Sequence, residues 1–322
     1  MFDVVCVGNA LVDITLKVPD SFLVGANLKK GAMTLADDVS QKFLLSSISG
    51  MSLSLSSGGS ASNVALGVAC LGGKSSFIGK VGVDSNGSFF EESLISRGVV
   101  PHLFKDVSLS TGTAIAFITD EGERSFSTYL GASVSLDKSS FLNFPQSKFL
   151  HVEAFLLENP VVKNLIFDLV RDAKKNGSKI SFDLSDASLI GRIKPVILEF
   201  LEFVDVVFAN ESEAKTFTGS NGLDAARILS KSCEIAIVKL GEGGSVVVSG
   251  DAEEIIEVDI VIPVNTNGAG DAYAAGFLFG LSRGLDLKKS ADIASFLASE
   301  TVLVEEASVQ KSLKVKVSQF LD

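Results

Sequence analysis

The residues best equipped for chemistry stand together in the run Asn265-Thr266-Asn267-Gly268-Ala269-Gly270-Asp271. It follows an apolar segment at 260–264 and opens a helix of small and apolar residues. Glycines at a loop-to-helix junction let backbone N–H groups converge on an anion, and the helix N-terminus adds roughly half a positive charge. Asp271 is then sited to take a proton from an attacking hydroxyl while Gly268, Ala269 and Gly270 hold a transferring phosphoryl group. An acid that only offsets the helix dipole, after glycines that only make a turn, fits the same residues. The loop is not a Walker A motif, because no G-x-x-x-x-G-K-[S/T] occurs. Nor is it a dinucleotide fingerprint, because Tyr273 stands where the third glycine belongs.

Two further clusters suit polyol recognition. Gly58-Gly59-Ser60-Ala61-Ser62-Asn63 opens a second helix, where paired glycines permit a hinge or a close backbone approach and Asn63 offers a donor and an acceptor. A glycine loop with Ser60 as helix N-cap is the plainer alternative. Gly8-Asn9-Ala10-Leu11-Val12-Asp13 ends the first apolar run. Ligands of open α/β folds bind at the carboxyl ends of strands, which favours Asn9 and Asp13 as hydroxyl ligands, although a simple turn also explains Asn9.

Positioning these groups requires a layered scaffold. Short apolar runs at 2–7, 77–78, 149–152, 179–182, 204–209 and 235–239 read as strands buried on both faces. Between them, helical apolar spacing covers 61–71, 88–97, 160–176, 224–230, 269–281 and 287–303. This alternation predicts a doubly wound, mostly parallel α/β sheet flanked by helices. The segments 13–18, 111–119 and 124–130 instead alternate with β period and carry glycine turns. They predict a small β-sheet lid, formed by about 10–35 and 100–132, on one domain spanning 1–322.

Composition excludes several classes. The chain has 322 residues, with 28 Lys and Arg against 39 Asp and Glu, a formal charge of −11. That balance argues against nucleic acid, whose phosphates need basic neutralisation, and against an anionic membrane surface. Three scattered cysteines, Cys6, Cys70 and Cys233, suit a reducing compartment. An acidic start, Met1-Phe2-Asp3, and no transmembrane-length apolar run lead us to expect a cytoplasmic protein. An anionic ligand must then be held by local devices.

Taken in order, the three glycine clusters resemble the ribokinase-like (PfkB-type) family of sugar and nucleoside kinases. The likeness extends through Leu71-Gly72-Gly73, Gly79-Lys80-Val81-Gly82-Val83-Asp84, Asn86-Gly87, Asn210-Glu211-Ser212-Glu213 and Lys239-Leu240-Gly241-Glu242-Gly243-Gly244. Arg124-Ser125 with Leu130-Gly131-Ala132, and the opening Gly8 to Ile14, look most like its adenosine kinase branch. The resemblance implies that Asp271 is the catalytic base acting on a primary hydroxyl, and that Gly268, Ala269 and Gly270 form the anion hole. It implies that Asn9, Asp13 and Asn63 hold the acceptor, with Gly58 and Gly59 as hinge and Arg124 as a lid arginine. Asn210, Lys239, Gly241, Gly244 and Thr266 fall at nucleotide positions, and Glu213 at the Mg²⁺ environment. Phe155 matches an aromatic that stacks on a base, though an ordinary core phenylalanine reads the same way.

The implied reaction is transfer of the γ-phosphate of ATP, with Mg²⁺, to a ribosyl substrate, adenosine first. A monovalent cation such as K⁺ is a further candidate, and the protein is expected as a monomer or homodimer. A ribose or fructose-type sugar kinase is the nearest alternative, and a non-catalytic nucleotide-binding relative is another. Three positions depart from the family pattern: Asn265 stands for the usual Asp, Phe296 for an Asn near the adenine, and 304–308 for a Gly-Ala segment.

Overall fold

Within Phe2–Val7, Val4 and Cys6 enter one apolar core and Val5 and Val7 the other. A strand apolar on both faces needs cover on both sides, and a parallel sheet between helix layers supplies it. The computed structural model describes residues 1–121, 123–141, 144–309 and 312–321. Its strands are Phe2–Val7 (β1), Leu11–Lys17 (β2), Met33–Leu35 (β3), Ser54–Gly58 (β4), Ser75–Gly82 (β5), Val100–Asp106 (β6), Gly112–Ile118 (β7), Arg124–Tyr129 (β8), Ser147–Glu153 (β9), Lys179–Asp183 (β10), Val206–Asn210 (β11), Ile235–Lys239 (β12), Ser245–Ser249 (β13) and Ala252–Ile256 (β14).

The large sheet runs β14-β13-β12-β11-β10-β9-β1-β5-β6. Neighbours from β6 to β12 are parallel, and β13 and β14 add an antiparallel edge. From β1 the chain goes to β5 and β6 on one side, then returns to β9 on the other. The strand order therefore reverses between β1 and β9, and the crevice outside their carboxyl ends is where open α/β sheets bind ligands. Gly8-Asn9 and Glu153 lie at that point.

A second sheet, β3-β8-β7-β2-β4, mixes parallel and antiparallel pairs. In β2, Val12, Ile14 and Leu16 are buried while Leu11, Asp13 and Thr15 are half-buried, the alternation of a sheet with one covered face. The structure departs from the expected lid in two ways. Val100–Asp106 is the edge strand of the large sheet, and Ser54–Gly58 joins the small one.

Five α-helices among the described residues escape the periodicity reading: Asp20–Gly25, Asp38–Ser47, Ala187–Leu201, Glu211–Thr218 and Lys314–Val317. In Ala187–Leu201, Pro195 and a non-helical Ile193 break the pattern. The apolar run at 260–264 is not a strand. Ile260 and Ile262 are 79% and 89% exposed, and the segment borders a cavity. No helix among the described residues is long and apolar enough to cross a membrane.

Candidate active site

Gly268 starts the helix Ala269–Ser282 in the left-handed region (φ 78°), and a side chain there would overlap the Ala307 carbonyl. Glycine is required by conformation and by space. Asp271 follows in the first turn. Its Oδ1 accepts from Ser60 Oγ at 2.7 Å and its Oδ2 from Asn63 Nδ2 at 2.9 Å. Ser60 is thus not a helix cap: Gly59 (φ 93°) is the N-cap residue of Ser60–Cys70, which leaves the serine hydroxyl for Asp271. Burial pushes the Asp271 carboxyl up to about 6, although those two hydrogen bonds pull it back.

Asp13 carries the same signature. Burial and then the Asp271 charge push it up to about 7, and a side chain on Gly58 would overlap its carboxylate. Two acids that repel each other across a buried space titrate as a pair. Each has its folded value raised, so the stability they contribute is present below about pH 4 and lost as pH rises through 6 to 7. We therefore expect Asp13→Asn to raise Tm at pH 8, with the gain shrinking towards pH 5, as thermal melts across that range will read.

Glu153, which sequence reasoning passed over, is the hub of the crevice. Its Oε1 accepts from Asn9 N (2.8 Å) and Asn9 Nδ2 (2.9 Å), and its Oε2 from Ala61 N (2.9 Å). The carboxylate ties the turn after β1 to the start of Ser60–Cys70. Burial raises it to about 7 against the lowering effect of those donors. The amide oxygens of Asn9 and Asn63 are buried acceptors to which no described protein group donates. Such atoms are costly unless a ligand donor reaches them, and hydroxyls of a polyol are suitable donors.

Two cavities meet at Ser60 and Phe155. One, of about 660 Å³, is walled by Asn9, Gly59 and Glu153 together with Leu11, Met33, Leu35, Ala114, Leu130 and Val134. Most of these apolar residues come from the small sheet. Asp13, Gly58 and Asn63 are not wall residues; they stand around Asp271 and Gly59. The other cavity, of about 470 Å³, contains Asp271, Ala269, Gly270, Thr266, Asn210, Glu213, Lys239, Gly241 and Gly244. Every expected nucleotide position lies there, and Phe155 borders both spaces instead of vanishing into the core.

Behind the second cavity, Lys239 Nζ is 2.8 Å from Asp183 Oδ2, and a side chain on Gly270 would lie 3.1 Å from that nitrogen. Burial pulls the ammonium down, but Asp183 and Glu213 outweigh it and hold it above its usual value. Burial and Asp183 raise Glu213 to about 7. The Asn210-x-x-Glu213 motif is a capping box for Glu211–Thr218: Glu213 N donates to Asn210 Oδ1, and the Glu213 carboxylate accepts from Asn210 N and Nδ2.

Among the described residues no group of three or more His, Cys, Asp or Glu is arranged as a metal cage. Mg²⁺ in phosphate sites typically uses one or two carboxylates, waters and the substrate phosphates. Asp183 and Glu213 on the cavity wall fit that mode. Arg124 lines neither cavity; its Nη1 donates to Asn265 Oδ1 at 2.6 Å. Phe296 packs against Phe320, ring centroids 5.4 Å apart, and it is Ser295 and Ser299 that face the 470 Å³ cavity. Phe296, the position aligned with the adenine-side Asn, does not line that cavity.

A switch-point crevice, a glycine-capped helix start carrying an acid, and two joined cavities define a phosphotransferase architecture. The model of the pfkB family of carbohydrate kinases matches residues 1–313, and the chain belongs to that family. It is 33% identical over 247 residues to a fructokinase of Vibrio alginolyticus, covering 74% of this chain and 80% of the relative. It is 30% identical to an adenosine kinase of Saccharomyces cerevisiae, covering 92% and 94%. The solved adenosine kinase of Sinorhizobium meliloti superposes with a TM-score of 0.90 at 35% identity, covering 99% of both chains. The protein is an ATP-dependent phosphotransferase acting on a small sugar or nucleoside, with the family's usual Mg²⁺.

Proposed function

We propose that the acceptor is a ribosyl nucleoside, adenosine first, phosphorylated at its primary hydroxyl. The observation that carries this reading is the acceptor cavity of about 660 Å³, whose wall sets the apolar Leu11, Met33, Leu35, Ala114, Leu130 and Val134 beside the polar Asn9, Glu153, Glu158, Asp186 and Arg192. That volume lies in the range of pockets for drug-sized ligands. A monosaccharide would engage Asn9, which has a free amide oxygen, and leave much of that space, its apolar wall included, filled with water. A purine would fill it and reach Phe155 for stacking.

Asp271 then acts as the base and takes the hydroxyl proton as the oxygen attacks the γ-phosphorus. Gly268, Ala269 and Gly270 supply N–H groups to the transferring phosphoryl oxygens, and Asp13 with Asn63 and Asn9 orients the ribose. Lys239, Asn210, Thr266, Gly241 and Gly244 hold the nucleotide. Glu213 and Asp183 would hold Mg²⁺, which when bound would supply neutralisation of phosphate charge. The small sheet serves as a lid hinged at Gly58-Gly59, which excludes water that would otherwise hydrolyse ATP.

A coupled ADP-release assay over nucleosides and sugars tests the reading. Adenosine should give the highest kcat/KM, and preference for fructose or ribose would replace it with the sugar-kinase alternative favoured by the Vibrio relative. For adenosine, log kcat/KM should fall with decreasing pH below about 6, because Asp271 must be ionised to accept the proton. A flat profile down to pH 5 would remove Asp271 as base.

A further inference from the structure

Two of the three departures noted in the sequence, Asn265 and the segment 304–308, touch each other. Asn265 Nδ2 donates to the Glu305 carbonyl at 2.6 Å. An aspartate at 265 has no proton to donate there, so this carbonyl makes the amide necessary. On its other side Asn265 Oδ1 accepts twice, from Asn267 N in the phosphate loop at 2.9 Å and from Arg124 Nη1 at 2.6 Å. Arg124 begins β8 of the small sheet. The same 304–308 segment also backs Gly268, whose missing side chain makes room for the Ala307 carbonyl.

One planar amide therefore joins three elements: the small sheet, the loop that turns into Gly268–Gly270, and the segment behind that loop. Its two ends face opposite partners, which fixes its rotamer, and that rotamer sets where Asn267 N and the following N–H groups point. Asn265 is neutral and holds Arg124 by a hydrogen bond, and the Glu305 carboxylate supplies the nearby opposite charge.

We propose that Asn265 is a positioning residue that transmits closure of the small sheet, through Arg124, to the phosphoryl-binding N–H groups. The proposal rests on the reading of Gly268–Gly270 as the phosphoryl cradle. When Arg124 is seated, the Asn265 amide is locked and the loop is set; when it withdraws, the loop loses one of its restraints.

Backbone hydrogen exchange followed by mass spectrometry tests this without any acceptor. Arg124→Met should speed exchange about tenfold in 266–270, and Asn265→Ala should do so in 124–129, each acting across the contact. Asn265→Asp, which can still accept from Arg124 but cannot donate to Glu305, should leave 124–129 as slow as the parent and speed only 266–270. For Arg124→Met and Asn265→Ala, effects confined to the substituted segment, or no effect, overturn the proposal, as does faster exchange of 124–129 in Asn265→Asp. Should Asn265→Ala melt early, Arg124→Met at the end of its strand carries the test.

With MgATP and adenosine, Arg124→Met and Asn265→Ala should each lower kcat about tenfold with KM for ATP within threefold, and the double variant should be no worse than the poorer single one. Multiplied losses would contradict the link. Absence of adenosine turnover in the parent protein would count against the nucleoside reading, and exchange would still decide the link.

Discussion

Asp271→Asn is expected to lower kcat by about 10²- to 10⁴-fold, the usual worth of a positioned base. The substitution keeps the size of the side chain and removes only its affinity for a proton. One amide oxygen can still accept from Ser60, but the new NH₂ must face the Asn63 NH₂ unless that amide turns over. The nucleotide cavity is otherwise untouched, so calorimetric ATP affinity should stay within about threefold while steady-state turnover collapses. Removing a buried acid whose ionisation is resisted also favours the folded state, so the variant should melt no lower than its parent at pH 8. Full turnover in Asp271→Asn would dismiss the assigned chemistry.

Glu153→Ala should be the most destabilising single change at the site, by about 3 kcal/mol, because it strips acceptors from buried donors that each cost roughly 1–3 kcal/mol when unmet. The donors are Asn9 N, Asn9 Nδ2 and Ala61 N, and no neighbouring described side chain stands in for the lost carboxylate. Glu153→Gln keeps the volume but offers one carbonyl oxygen to donors on two sides, so it should fall between parent and Ala. Denaturant titrations will check this: the midpoint should drop with an unchanged m-value, which marks lost stability without a change in the surface exposed. Because Glu153 joins the Asn9 turn to Ala61 at the start of Ser60–Cys70, beside the proposed hinge, acceptor KM should rise in the Gln variant even where folding is complete. A midpoint equal to the parent's in Glu153→Ala would contradict the clamp.

Much of the frame was legible because its signals are local. The phosphate loop needs glycine at Gly268 for a left-handed residue against the Ala307 carbonyl, and such a demand leaves a mark in the sequence. The parallel strands showed as apolar runs because both faces are buried. Glu153 left no such mark, since its partner Asn9 lies 144 residues away and only the pairing of β1 with β9 brings them together. Asp183 was hidden in the same way at the end of β10.

The small sheet was partly legible. Its β7 and β8 alternate well, but β4 reads Ser-Leu-Ser-Ser-Gly and carries no strand signal of its own; it exists because β2 offers an edge. At the far helix, Phe296 points away from the cavity towards Phe320, while Ser295, about 100° round the axis, lines it. The N-x-x-E motif was found and its physical basis was nearer than expected: it caps the helix it begins. The acidic charge of −11 is compatible with the proposed phosphate recognition, which calls on backbone N–H groups and Lys239 and needs no basic surface.

The central claim, phosphoryl transfer to a nucleoside, is tested most directly by ³¹P NMR of the product formed from MgATP in a mixture of adenosine, ribose and fructose. The account predicts growth of a single phosphomonoester resonance matching the 5′-monophosphate of adenosine, in step with ADP. Growth of a sugar phosphate with adenosine left unmodified would contradict it.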